Sequence, residues 1–144
     1  KKKLTAGVES YPRCTLITFG LAGIPRARTV TRLNSLEQGY LDFATGRHDR
    51  KVKELGANPK VTLFFVDPRT RDHASLHGIG EVLSDPSLRE AYWREEFWQY
   101  WPRGREDPNY VILRVQVISA EYLIASTEEV GTVKFQSEHK SCCN

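Results

Sequence analysis

The chain has 144 residues and a formal net charge of +3, with 40% hydrophobic and 27% charged residues. That length suits one compact domain, and such a domain buries about 68–70% of its unfolded surface without help from disulfides or metals. The ordinary composition excludes a disordered, collagen-like or disulfide-scaffold chain, and no apolar run nears the ~18 residues of a membrane span.

Residues 15–19 alternate polar and apolar side chains and predict a strand. A turn over 20–25 leads into a second strand at 26–33, rich in Thr and Val. A further turn over 34–39 leads into a third strand at 40–45. Connections this short predict antiparallel neighbours, because a parallel pair needs a crossover of about a dozen residues. Residues 49–57 predict a short helix, with Asp49 as N-cap, Val52 and Leu55 three apart, and Asn58-Pro59 as the stop. Residues 60–66 form the most apolar strand and lack clean alternation, which predicts cover on both faces. Residues 73–83 predict a long strand in which Gly78 and Gly80 mark a bend or bulge. Asp85-Pro86 opens a helix expected to run to about Tyr100, ahead of Pro102. Residues 110–117 predict a strand with Val111, Leu113, Val115 and Val117 on one face; 121–125 predict another, and a tail is expected from about 126. Six or seven short, mostly antiparallel strands with two helices imply a mainly β single domain. Its form is a small closed or partly open barrel, with a sandwich as the alternative.

The Lys1-Lys2-Lys3 start is followed by no apolar stretch of signal-peptide length, so the expectation is a soluble cytoplasmic protein. Cys14 stands alone, and Cys142-Cys143 sit in a polar tail beside His139, read as frayed rather than metal-binding. No metal site or redox pair is expected. Residues 1–60 hold twelve Lys/Arg against five Asp/Glu, whereas residues 61–144 hold nine against thirteen. The first half is therefore prepared for an anion, while the whole chain is too weakly basic for a nucleic-acid binder.

Three features bear on chemistry. Arg26, Arg28 and Arg32 share one strand face, where they repel one another unless something negative lies among them or the edge is solvated. Arg50 and Lys51 fall in a first helical turn, where the helix dipole prefers acidic residues. Cations there make sense if a phosphate docks on the free N–H groups, and this reading is favoured over a surface helix with an Arg50–Glu54 pair. Finally, Trp93, Phe97 and Trp101 recur every four residues as an apolar stripe suited to core or subunit interface, with Trp98 off the stripe. No G-x-S-x-G, H-E-x-x-H or paired-carboxylate motif is present, so catalytic side chains are not assigned; a chain of this kind often leaves its chemistry to a cofactor.

Residues 26–33 and the run 41–61, with Arg50-Lys51 ahead of Asn58-Pro59, resemble the pyridoxamine 5′-phosphate oxidase-like family of FMN-binding split barrels. Asp107-Pro108-Asn109-Tyr110 and Ala120-Glu121-Tyr122 are similar to its general-stress-protein branch. The resemblance implies an antiparallel Greek-key split β-barrel and a homodimer with FMN in a cleft between subunits. It implies that Arg28, Arg50 and Lys51 hold the FMN phosphate. Thr29, Val30 and Thr31 would run beside the ring, Ala44 and Thr45 would line the site, and His73 would take a place where the oxidases carry glutamine. It further implies an FMN-dependent oxidoreductase acting on a small molecule. The alternatives are a non-catalytic flavin-binding or sensing module, or a related barrel for deazaflavin or haem. Two departures argue against pyridoxal phosphate synthesis: Leu33 replaces a substrate-binding lysine, and no Arg-x-His element follows Val117.

Overall fold

The computed structural model describes residues 2–135. Helix α1 (Lys2–Glu9) comes first, at a place where no element is expected from the sequence pattern. Leu4 and Val8 lie four apart on one helix face, and both are buried in the main core. Seven strands follow: β1 (Arg13–Phe19), β2 (Pro25–Thr31), β3 (Tyr40–Gly46), β4 (Lys60–Val66), β5 (His73–Leu83), β6 (Tyr110–Ile124) and β7 (Glu129–Lys134). Helix α2 (Arg50–Ala57) joins β3 to β4, and α3 (Pro86–Tyr92) follows β5.

All the pairings are antiparallel, in the order β2-β1-β4-β5-β6-β3, with β7 also on β6. A single bridge, Arg32↔Phe43, brings the end of β2 to β3 and curls the sheet round into the expected Greek-key split barrel. Leu16, Phe43, Leu63, Leu76 and Leu113 fill its interior, each fully buried. Each such side chain contributes roughly 1.5–3 kcal/mol relative to exposure.

Several expectations need correction. The strands expected at 110–117 and 121–125 are one strand, β6, of 15 residues. Its first half pairs with β3 and its second half with β7, along the same edge. The β5–β6 register shifts between His77 and Gly78, as the glycines implied. A Cβ at Gly78 would sit 2.2 Å from the Gln116 carbonyl oxygen, so the bulge depends on glycine. Part of the expected tail forms β7, and Phe135 beyond it is buried. His139, Cys142 and Cys143 lie outside the described residues. Within one chain, strand β4 is covered on one face: Val61, Leu63 and Phe65 point inward, while Phe64 is half-buried and Val66 is exposed, so the second cover that the sequence predicts is not supplied by the chain itself.

The long aromatic helix also differs. Helix α3 stops at Tyr92, Trp93 and Arg94 are extended, and residues Glu95–Gln99 form a separate 3-10 turn. A straight helix would spread six aromatic rings around its circumference. The break instead gathers Trp93, Phe97 and Trp101 around Tyr110 on the outer face of β6, with centroids 5.0–5.9 Å apart. The stripe therefore forms a second core, though not a helical one. Below it, Asp42 is fully buried and accepts two hydrogen bonds from Arg114 (2.8 and 2.9 Å) and one from the Tyr92 hydroxyl (2.7 Å). This triad ties α3 to β3 and β6. Burial first, then the Asp42 hydrogen bond, pushes the Tyr92 hydroxyl far above its ordinary pKa.

Candidate functional site

The barrel is open at one place for a simple reason of register. The bridge Arg32↔Phe43 is antiparallel, and the Leu33 N–H donates to the Asp42 carbonyl (2.8 Å) in the same register. Continuing that register would pair Thr31 with Ala44, Val30 with Thr45 and Thr29 with Gly46. No such pairs form: the two strands diverge, and these six residues line a cleft of about 810 Å³. Two strand edges thus face each other without a ladder between them and offer backbone donors and acceptors to a ligand.

The cleft floor ends at the start of α2. Asp49 occupies the N-cap position, but its side chain turns backward and makes no cap to the helix. Its Oδ2 accepts from Thr45 Oγ1 (3.0 Å), the Gly46 N–H (3.1 Å) and Lys51 Nζ (3.0 Å). Burial works to raise the Asp49 pKa, but the hydrogen bonds from Lys51, Gly46 and Thr45 outweigh it and hold the carboxyl below its usual value. The first turn of α2 contains no acidic residue. An uncapped, cationic helix start is a ready site for an anion.

The opposite wall comes from the aromatic segment. Phe97, Gln99, Tyr100 and Trp101 line it together with Arg94 and Glu96. Tyr100 is 65% exposed, whereas Trp101 is nearly buried. Gly104, with φ of 79°, lets the chain turn under Trp98: a Cβ there would lie 2.8 Å from the indole.

The nine residues singled out in the sequence divide into four groups. Thr29, Val30, Thr31, Ala44, Thr45 and Lys51 share the cleft. Arg50 lies beside it, lining a separate hollow of about 530 Å³ with Arg26, His48 and Lys53, and makes no hydrogen bond or ion pair to a described residue. Arg28 points to the barrel end, where it donates to Thr18 Oγ1 (2.7 Å) and to Glu54 Oε1 (2.8 Å). His73 stands away from the cleft, near Phe64, in a smaller hollow with Tyr11 and Asp67.

The three arginines of residues 26–32 find their negative partners within the chain. Glu54 of α2, 1% exposed, lies between Arg26 (3.2 Å) and Arg28 (2.8 Å) rather than pairing with Arg50. Arg32 donates to the carbonyls of Val8, Glu9 and Tyr11 at the C-terminal end of α1, where the helix dipole favours a cation. The Arg28–Glu54 pair fastens α2 against β1 and β2 and so fixes the direction of its first turn. Arg13, at the start of β1, and Arg94, Glu96 and Tyr100 belong to the cleft without a motif to announce them; the break after Tyr92 turns the segment of the last three back over it.

The family model for "Pyridoxamine 5'-phosphate oxidase like" proteins matches residues 1–140. The chain belongs to this family. A pyridoxine/pyridoxamine 5′-phosphate oxidase from Alkalilimnicola ehrlichii is 31% identical over 88 residues, covering 61% of this chain and 44% of that protein. The chain spans about half the length of the curated relatives it matches. Among solved structures, a Clostridium acetobutylicum protein related to general stress protein 26 superposes with a TM-score of 0.80 at 27% identity, covering 93% of both chains. A pyridoxamine 5′-phosphate oxidase-related, FMN binding protein from Nostoc punctiforme superposes at 0.69 with 18% identity, covering 88% of both, a likeness of fold. In this family member the split between β2 and β3 and the start of α2 are the features that shape the cleft.

Proposed function

We propose that the chain binds FMN in this cleft and acts as a flavin-dependent oxidoreductase on a small molecule. The observation that carries the reading is the divergence of β2 from β3 over an uncapped, cationic helix start. The phosphate sits at the first turn of α2, where Lys51 from within the cleft and Arg50 from its side supply charge. The edge at Thr29, Val30 and Thr31 gives main-chain hydrogen bonds to the ring, and Ala44 and Thr45 close the other side. Arg28 acts through Glu54 as a positioning residue behind α2. The bound flavin would supply two-electron exchange with the substrate. The chain's own part is to hold the ring, neutralise the phosphate and keep water from the reacting face.

The assembly proposed is a two-fold homodimer. Ile17, Phe64 and Val66 leave apolar surface on the outer face of β1 and β4, and His73 lies on the same side of the sheet. A second copy covering that face would bury this apolar surface and set His73 at the interface. Phosphorylated pyridoxine is not the proposed substrate, because Leu33 supplies no cation to a second phosphate. Flavin is preferred over haem because the unpaired strand edge at Thr29, Val30 and Thr31 and the cationic start of α2 suit a ring with a phosphate arm.

The test is purification of the full chain, identification of the ligand released on denaturation, and steady-state reduction with NADH or NADPH. FMN together with turnover supports the reading. FMN without turnover leaves a flavin-binding module, and a chain that takes up no added FMN overturns the proposal.

A further inference from the structure

The cleft wall formed by the aromatic segment has chemistry of its own. Arg94 is half-buried, lines the cleft, and its side chain makes no hydrogen bond or ion pair to a described residue. Glu96, two residues on, lines the same wall without pairing with it. A half-buried guanidinium without a partner loses hydration and gains nothing in return until an anion arrives. The exposed ring of Tyr100, the Trp101 indole and the aliphatic side chain of Leu33 line the same cleft. Flat apolar surface with one convergent cation is the form of a site for a planar ligand carrying a single charged group.

We infer that the substrate is a planar, conjugated organic monoanion, a carboxylate in the first instance, stacked on Tyr100 with its charge on Arg94. The inference rests on the flavin reading in assigning the aromatic wall of the same cleft. The charge count selects the monoanion. Arg94 neutralises one charge, Arg13 stands at the exposed rim, and Glu96 repels a second. A carboxylate also matches the two-pronged donor geometry of a guanidinium. A phosphate dianion would bring one charge more than the wall balances.

The test is isothermal titration of the FMN-loaded full chain with three probes of one shape: 2-naphthoate, 2-naphthamide and 2-naphthyl phosphate. The carboxylate should bind at least tenfold more tightly than the amide, and no more weakly than the phosphate. Arg94→Gln should weaken the carboxylate roughly ten- to hundredfold and leave the amide within about twofold. Arg94→Lys should restore part of the loss. Equal binding of carboxylate and amide, a phosphate preference, or an equal effect of Arg94→Gln on both probes would overturn the inference. The last of these would mean that Arg94 only packs. Titrating the flavin-free chain separates the two readings. Failure to take up FMN sinks the flavin assignment alone, and the Arg94 comparison is then decided on the flavin-free chain.

Discussion

Replacing Glu54 with alanine should test how α2 is fastened to the barrel. The carboxylate is 1% exposed and lies between Arg28 Nη2 (2.8 Å) and Arg26 Nε (3.2 Å), with Thr18 Oγ1 donating to it at 3.2 Å. Removing one member of a buried ion pair typically costs about 3–5 kcal/mol, because the remaining charge is left without compensation. Here the arginine side chains are 41% and 23% exposed, so water screens part of that cost. A loss of about 2–3 kcal/mol follows once that screening is allowed for. At roughly 2–4 °C per kcal/mol for a chain of this size, the melting temperature should fall by about 5–10 °C. Glu54→Gln keeps an acceptor for Thr18 and Arg28 and should lose about half as much. Thermal unfolding followed by circular dichroism measures both variants, and a cycle with Arg28→Met should give a coupling of about 1–3 kcal/mol. A melting temperature within about 2 °C of wild type for Glu54→Ala, or a coupling near zero, would refute the account of how α2 is oriented.

Further outcomes concern other parts of the chain. The Tyr11 hydroxyl and the Arg69 N–H beside Asp67 hold its carboxyl down to about 2. Its stabilising effect is therefore present above the ordinary carboxylate pKa of about 4 and lost as the pH falls toward about 2. Melting curves from pH 6 to 2 should show that acid limb, and Asp67→Asn should flatten it. Burial pushes the Cys14 thiol up to about 12, so in a Cys142→Ser/Cys143→Ser variant no thiol should react with a disulfide reagent at pH 8 until the chain unfolds. Gly104→Ala places a Cβ 2.8 Å from Trp98 at a φ of 79°. It should cost about 1–3 kcal/mol and shift the near-ultraviolet circular dichroism of the tryptophans.

The strands were the legible part of the fold. Alternation marked residues 15–19, and the two facing, unpaired edges of the cleft fell within segments that the family resemblance singled out. What the sequence did not show came from tertiary packing. Helix α1 has only eight residues and no acidic residue in its first turn; it is held by burial of Leu4 and Val8 and by Arg32 on its last carbonyls. Period-four aromatics suggested one long helix, yet the rings are better buried when the backbone breaks at Trp93 and lets them meet Tyr110. The same break carries Arg94 and Tyr100 to the cleft, so that wall was hidden for the same reason. Arg28 was read as facing an anion, and its charge partner in the structure is Glu54, 26 residues along the chain. That partner becomes visible only once α2 has folded back on the barrel.

The proposed function depends on a flavin phosphate docking at the first turn of α2. Its most direct test compares FMN with riboflavin, by titration calorimetry, on the wild type and on the Arg50→Ala/Lys51→Ala variant. Each charge-assisted contact contributes about 1.5–3 kcal/mol, so FMN affinity should fall on the order of a hundredfold or more in the variant. Riboflavin should bind poorly to the wild type and change little with the substitution, since the Lys51–Asp49 pair it also removes is worth about 1 kcal/mol at most. Equal affinity for FMN and riboflavin, or an FMN affinity unchanged in the variant, would contradict the claim.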